Sequence, residues 1–299
     1  MKVENPFLSR LAHGTLASTI IYRRTPRGHA AYLHFKPKQP MTDAQKNHHE
    51  LFHLLADRWN YLEAADRDYW LPIAEDEHMT TYNAYMQYNL ERLNPAQPAN
   101  LIGWWPNLIP AGDVLHDLTA AHNDGEFVSL NPDTAWALSL ERRGRVIEYD
   151  GTGYVNVPDP PSTTGNYTWA FWFKQNAYTP LSAIVDTGYI ARYTHARFGS
   201  QRAYHVLRNT FAPSPQMFLD NFTWHHYAGT WEQTTMQLYI DGAFASAAGQ
   251  VVPLLPQVYM RFGIHNVGVA PVGFNGQVDD LRFYNRQLVL ADIQELAAR

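Results

Sequence analysis

The chain contains no cysteine. Disulfides, thiolate zinc sites, iron–sulfur ligation and cysteine nucleophiles are thereby excluded. No stretch approaches the run of about 18 apolar residues that a bilayer-spanning helix needs, so no membrane segment is expected. The opening residues Met1-Lys2-Val3-Glu4-Asn5-Pro6-Phe7 show neither an apolar h-region nor a small-residue cleavage site. No signal peptide is therefore expected, and the chain is expected to fold in a cytoplasm. Positive charge is scarce: 23 Lys and Arg stand against 28 Asp and Glu, a net charge of −5. Without a large positive field, neither nucleic acid nor an anionic membrane surface is an expected partner. Gly-rich phosphate loops and Ser/His/Asp sequence signatures are also missing.

What the chain has instead is length, rings and turns. Its 299 residues fit one large or two ordinary domains. With 45% hydrophobic and 17% charged residues, it has the composition of a packed core, not of a disordered chain. Aromatics reach 14%, and 19 Pro with 18 Gly suit many short strands joined by turns.

The texture changes near residue 95. Asn94-Pro95-Ala96-Gln97-Pro98-Ala99-Asn100 reads as a linker over 96–100. Before it, Thr19–Tyr22 and Ala30–His34 are β-prone and flank a turn rich in basic residues, so a hairpin is predicted. Arg23, Arg24, Arg27, Lys36 and Lys38 give this region a charged, solvated character or a surface for an acidic neighbour. Thr42 with Gln45 forms a capping box that opens a helix. On a 100° wheel Leu51, Leu55 and Leu62 share a stripe. A break is predicted at Asp66–Asp68 and Pro72, then a helix over about Thr81–Leu93. Residues 1–95 are thus read as a small, helix-rich α+β domain with a short β-hairpin. Trp59, Trp70, Tyr82, Tyr85 and Tyr88 are more rings than so small a core readily encloses, so they are candidates for a partner interface as well as for the core.

After the linker, Tyr167-Thr168-Trp169-Ala170-Phe171-Trp172-Phe173 is a strand expected to be buried on both faces. Met236–Ile240, Asp241-Gly242 and Ala243–Ala245 predict a tight hairpin. Gln277–Tyr284 is a further strand, and the last dozen or so residues read as a short helix. Residues 101–299 are therefore mainly β, an antiparallel two-sheet jelly-roll sandwich.

The same segments carry a resemblance. Leu101-Ile102-Gly103-Trp104-Trp105-Pro106, Asp117-Leu118, Asn123–Phe127, Ile147–Pro158, Trp224–Trp231, Tyr239–Gly242 and Phe274–Leu288 resemble, in order, the laminin-G-like domains of the concanavalin A-like lectin/glucanase jelly roll. The resemblance implies that fold and leaves activity open. More faintly, Gly14–Ala17, Thr42, Gln45, Trp59, Arg67, Trp70 and Tyr82–Tyr85 resemble small structural proteins of bacteriophages and prophages.

Candidate chemistry is sparse. His49-Glu50-Leu51-Phe52-His53 has the spacing of a zincin helix. The wheel, however, turns both His away from the leucine stripe, and no third ligand follows, so no metalloprotease is expected. In glycosidases of this fold, the resemblance implies paired carboxylates from one strand as Glu-x-Asp-x-x-Glu. Here Glu148-Tyr149-Asp150 begins that pattern but Gly153 stands where the second Glu belongs. Asp279-Asp280 is read as part of a structural strand. The chain is therefore not expected to be an enzyme, and no catalytic residue or metal ligand is assigned. Tyr189, Arg192, Tyr193 and His195 are the candidate glycan-binding residues, rings and polar groups lying between strands. No cofactor is expected. The resemblance allows calcium at the sandwich rim, but Asp150, Asp186 and Asp220 are too scattered to form a ligand set.

Taken together, these features point to a bacteriophage virion structural protein. The expected form is a capsid decoration or head-surface protein, anchored by residues 1–95 and displaying a lectin-like, glycan-binding jelly roll. Its expected partners are capsid and other virion proteins, further copies of itself as a homo-oligomer, and cell-surface glycans. A free or cell-surface carbohydrate-binding lectin and a tail-associated adhesion protein are the alternatives.

Overall fold

A computed structural model describes residues 14–16, 20–25, 28–33, 49, 52–53, 55–56, 59–60, 62, 64–68, 70–93, 100–107, 112–139, 141–142, 144–161, 165–177, 179–187, 194–199, 202–207, 210–213, 223–249, 259–266 and 271–298. The chain divides into two compact units, Met1–Asp57 and Arg58–Arg299. Of the linker expected at 96–100, residues 96–99 lie outside the described residues.

In the first unit β1 (Gly14–Leu16), β2 (Ile20–Thr25) and β3 (Gly28–Leu33) form an antiparallel sheet in sequence order. The hairpin has longer arms than the sequence reading gives it. Ile20 pairs with Leu33 and Thr25 with Gly28, so the ladder runs up to Pro26-Arg27. Further on, His49 and His53 are helical and exposed while Leu55 is buried, as the wheel requires. The Thr42–Gln45 capping box, Glu50, Arg27, Lys36 and Lys38 lie outside the described residues.

The second unit opens with helices Ala64–Asp68, Leu71–Asp76 and Thr81–Leu93. The sequence reading broke the helical run at Asp66–Asp68 and Pro72. The structure corrects it, because a helix starts at Leu71 with Pro72 in its first turn. Proline there gives up no intrahelical bond and presets φ. The five rings named as candidates for a partner interface pack against one another. Trp59 lies 5.6 Å from Tyr82 and 5.2 Å from Tyr85, and Trp70 lies 5.5 Å from Tyr85 and 6.3 Å from Tyr88. Trp70 and Tyr85 are each 4% exposed, so much of their apolar area is spent inside the helical layer. Tyr88 adds a 2.6 Å bond from its hydroxyl to Glu77 Oε1.

The sandwich follows. Its strands are β4 (Leu101–Trp105), β5 (Val114–Leu115), β6 (Gly125–Val128), β7 (Trp136–Ser139), β8 (Gly144–Asp150), β9 (Tyr154–Val157), β10 (Tyr167–Ala177), β11 (Ala183–Asp186) and β12 (Thr194–Gly199). Then come β13 (Arg202–Leu207), β14 (Thr210–Pro213), β15 (His225–Glu232), β16 (Thr235–Ile240), β17 (Ala243–Gly249), β18 (Met260–Phe262), β19 (Ile264–Asn266), β20 (Pro271–Gly273), β21 (Asn275–Tyr284) and the helix Leu290–Ala297. One sheet runs β17-β16-β15-β10-β21-β8-β7, with β4 also paired to β21. The other runs β14-β13-β12-β11-β18-β9-β6-β5, and β19 with β20 makes a separate ribbon. The jelly-roll expectation holds, and the described pairings in both sheets are antiparallel.

Period-2 alternation decides what faces inward. From β10, Trp169, Phe171 and Phe173 enter the core against Val155, Val157, Val185 and Phe262 of the facing sheet. Trp169 stacks on Phe283 at 3.9 Å and Phe171 on Tyr227 at 4.6 Å. The opposite face of β10 is also buried at its start, because Leu288, Ile293 and Leu296 of the C-terminal segment pack with Ala170, Ala228 and Tyr284. The turn between β16 and β17 has φ of 51° at Asp241 and 74° at Gly242, the doubly positive geometry that tight hairpins require. The first sheet thus has its outer side claimed in part by the C-terminal helix.

Candidate functional site

On the second sheet, alternation sends a row of polar residues outward. In β9, Val155 and Val157 are buried while Tyr154 and Asn156 are partly exposed. In β18, Met260 and Phe262 are buried and Arg261 is partly exposed between them. Register then aligns neighbours that are far apart in sequence. Glu126 of β6 pairs with Asn156, Asn156 with Arg261, Arg261 with Asp186, and Asp186 with His195 of β12. Directly paired residues share a face with Cβ atoms about 5 Å apart, so five strands contribute one continuous line.

Two rings flank this line. The Arg261 guanidinium lies 5.1 Å from the ring centroid of Tyr154 and 4.5 Å from that of Tyr259. Cation–π stacking of this kind holds a long side chain in place. Arg261 Nε is buried and has no hydrogen-bond partner. At the other end Asp186 is fully buried, and its Oδ2 lies 3.2 Å from His265 Nδ1. The row therefore runs from an exposed carboxylate at Glu126, through an amide and a ring-clamped guanidinium, to a buried carboxylate–imidazole pair. The accessible part of the row, Glu126, Asn156 and Arg261 with Tyr154 and Tyr259, offers planar donors and acceptors to hydroxyl pairs and apolar faces to a sugar ring.

Of the residues singled out from sequence, Tyr189, Arg192 and Tyr193 lie outside the described residues. His195 takes a place in the row by its register with Asp186. Glu126, Tyr154, Asn156, Tyr259 and Arg261 were not singled out. The Tyr-Val-Asn-Val alternation of β9 is the one local signal that could have found part of the site.

The carboxylates of the first sheet have other work. Arg142 Nε donates to Asp279 Oδ2 at 3.0 Å and its guanidinium lies 4.0 Å from the Trp172 ring centroid. Asp280 accepts from Arg282 at 3.0 and 2.8 Å and from Trp104 Nε1 at 2.8 Å. Glu148 accepts from the amides of Asn176 and Gln277. Asp150 caps a tight loop, accepting from Thr152 N at 2.8 Å, Thr152 Oγ1 at 2.7 Å and Gly153 N at 3.1 Å. Slight desolvation raises its pKa, and these hydrogen bonds outweigh that and lower it overall. Asp117, 1% exposed, accepts from Trp104 N, Thr119 and Asn123. Asp220 lies outside the described residues, among which no three His, Asp or Glu side chains come together as a metal cluster.

Comparison with known proteins agrees with the architecture. Residues 149–294 match the family model described as the concanavalin A-like lectin/glucanases superfamily, Laminin_G_3. Domain 4 of AbnA, a GH43 extracellular arabinanase from Geobacillus stearothermophilus solved with arabinotriose, superposes with a TM-score of 0.55 at 16% identity, covering 66% of this chain and 98% of that one. The binding domain of Paraclostridial Mosquitocidal Protein 1 gives 0.52 at 12% identity, over 66% of this chain and 52% of that one. That of botulinum neurotoxin serotype D/C gives 0.52 at 13%, over 67% and 52%. The chain spans about half the length of these two toxin domains. At such identities the likeness is one of fold. No curated protein matches.

Proposed function

From a sandwich whose residues 149–294 match the concanavalin A-like lectin/glucanases superfamily, we propose a non-catalytic glycan-binding module that uses the outer face of its second sheet. The observation that carries this reading is the in-register row Glu126, Asn156, Arg261 and Asp186, with Tyr154 and Tyr259 on either side of the guanidinium. Support against hydrolysis comes from spacing. Glu126 and Asp186 are three strands apart, roughly 14 Å at about 4.8 Å per strand, beyond the ~5–9.5 Å that retaining and inverting glycosidases use.

The test is calorimetric titration of the full chain with arabinotriose and with a panel of neutral and acidic oligosaccharides. Arg261→Ala should weaken the best ligand about 10- to 150-fold, the equivalent of a charged hydrogen bond worth roughly 1.5–3 kcal/mol. Thermal unfolding run alongside shows whether the variant is folded. Unchanged affinity in a folded Arg261→Ala chain, or no binding across the panel, overturns the reading. Display of this module on a virion, with residues 1–95 as the anchor, rests on the sequence alone. Binding of the full chain to particles that lack it tests that placement.

A further inference from the structure

We propose that His49 and His53 form a two-nitrogen clamp for a first-row divalent transition-metal cation, in the unit that the glycan-binding reading does not use. The two side chains stand one helical turn apart and both are exposed. Their Nε2 atoms converge to 3.2 Å, with ring centroids 4.3 Å apart and planes at 72°. With Zn–N bonds of about 2.05 Å, a 3.2 Å bite corresponds to an N–metal–N angle of roughly 103°, between the octahedral 90° and the tetrahedral 109°. The pair is therefore already at chelating separation.

The proton balance is simple. Metal binding uses the Nε2 lone pair of each ring, so in the bound state each neutral imidazole carries its proton on Nδ1. Imidazole pairs favour zinc, nickel and copper(II) over magnesium or calcium, which prefer oxygen. Among the described residues no third ligand joins the pair, and the remaining positions are filled by water or by the same pair from a second copy. This arrangement does not make a peptidase, which requires a third protein ligand.

The experiment titrates the full-length protein with ZnCl2, NiCl2 and CuCl2 by calorimetry, with MgCl2 as the control. Saturable binding at one metal per chain, or at one per two chains with dimerisation seen by sedimentation, supports the clamp. His49→Ala and His53→Ala should each weaken it at least tenfold, since losing a ligand costs more than losing its outer hydrogen-bond partner, itself worth 10–100-fold. His78→Ala, an exposed histidine elsewhere, should leave it unchanged. Because both clamp residues are exposed and alanine favours helix, folding should survive, and circular dichroism checks that it does. Unchanged affinity in either clamp variant, or no binding by the wild type, overturns the proposal. Glycan binding is unaffected by either outcome.

Discussion

Burial of His226 should make the protein lose stability as the pH falls below 6.5. This side chain is 2% exposed on β15, set edge-on to Trp172 at 5.3 Å. Burial dominates its titration and pushes the pKa down from 6.5 to about 3. Asp280 and Asp241 pull it back up, and Arg142 and Arg282 push it further down. Its Nδ1 has no hydrogen-bond partner, so a second N–H on the ring would gain nothing to offset its charge. The sign follows from linkage: between the folded and unfolded pKa values the unfolded chain binds the extra proton, so stability falls as pH falls from 6.5 toward 3. The slope for one such group approaches about 1.4 kcal/mol per pH unit and is about half that at pH 6.5, where the unfolded side chain is half protonated, so going from pH 6.5 to 4.5 should cost about 2.3 kcal/mol. Urea unfolding at half-unit pH steps measures this directly, and His226→Gln supplies a side chain of similar polarity that does not titrate. Whatever the substitution does to absolute stability, it should flatten the pH 4.5–6.5 limb by about 1.2 kcal/mol per unit on average. Asp150 and Asp241 do not blur the window, because both have folded pKa values below 3.8 and their contributions are lost only under more acid conditions. Parallel wild-type and variant slopes would refute the reasoning.

Two further perturbations probe the buried charges and the core. Asp280→Asn keeps a residue tolerant of the φ of 52° but leaves Arg282, 1% exposed, with its partner's charge removed. It should cost about 3–5 kcal/mol, read as a fall in denaturation midpoint at constant m, and a loss under about 0.5 kcal/mol would show that the ion pair is not a structural fixture. Trp169→Ala removes a ring 1% exposed and stacked on Phe283, so a loss of about 3–5 kcal/mol is expected. An unshifted thermal transition would mean that Trp169 is not in the core.

What could be read from sequence was what local pattern controls. The ring-rich Tyr167–Phe173 run became β10, Asp241-Gly242 became the β16–β17 turn, and Thr81–Leu93 became a helix with those limits. Sequence says least where one residue has two meanings. Pro72 breaks a helix in mid-span but opens one in its first turn, and the surrounding composition does not say which. Rings such as Trp70 and Tyr85 look the same in sequence whether they face a partner or each other. The candidate site was hidden for a different reason. Glu126, Asn156, Asp186, His195 and Arg261 are scattered over some 136 positions and become neighbours only through register across β6, β9, β18, β11 and β12. No window along the chain contains that line.

The pairing of β4 with β21 has a mechanical corollary. Leu101 sits opposite Tyr284, and Asn285 N donates to Asn100 O at 3.0 Å, so the first and last strands of the sandwich meet at one end, with only the C-terminal helix beyond. Tension applied through residues 100 and 285 acts at the same end of an antiparallel ladder. It opens the bonds one after another, like a zipper, instead of shearing them together. A module tethered on both sides therefore loses its C-terminal helix first and then sheds load in steps, whereas one held from a single side leaves that ladder unloaded however hard its bound ligand is pulled.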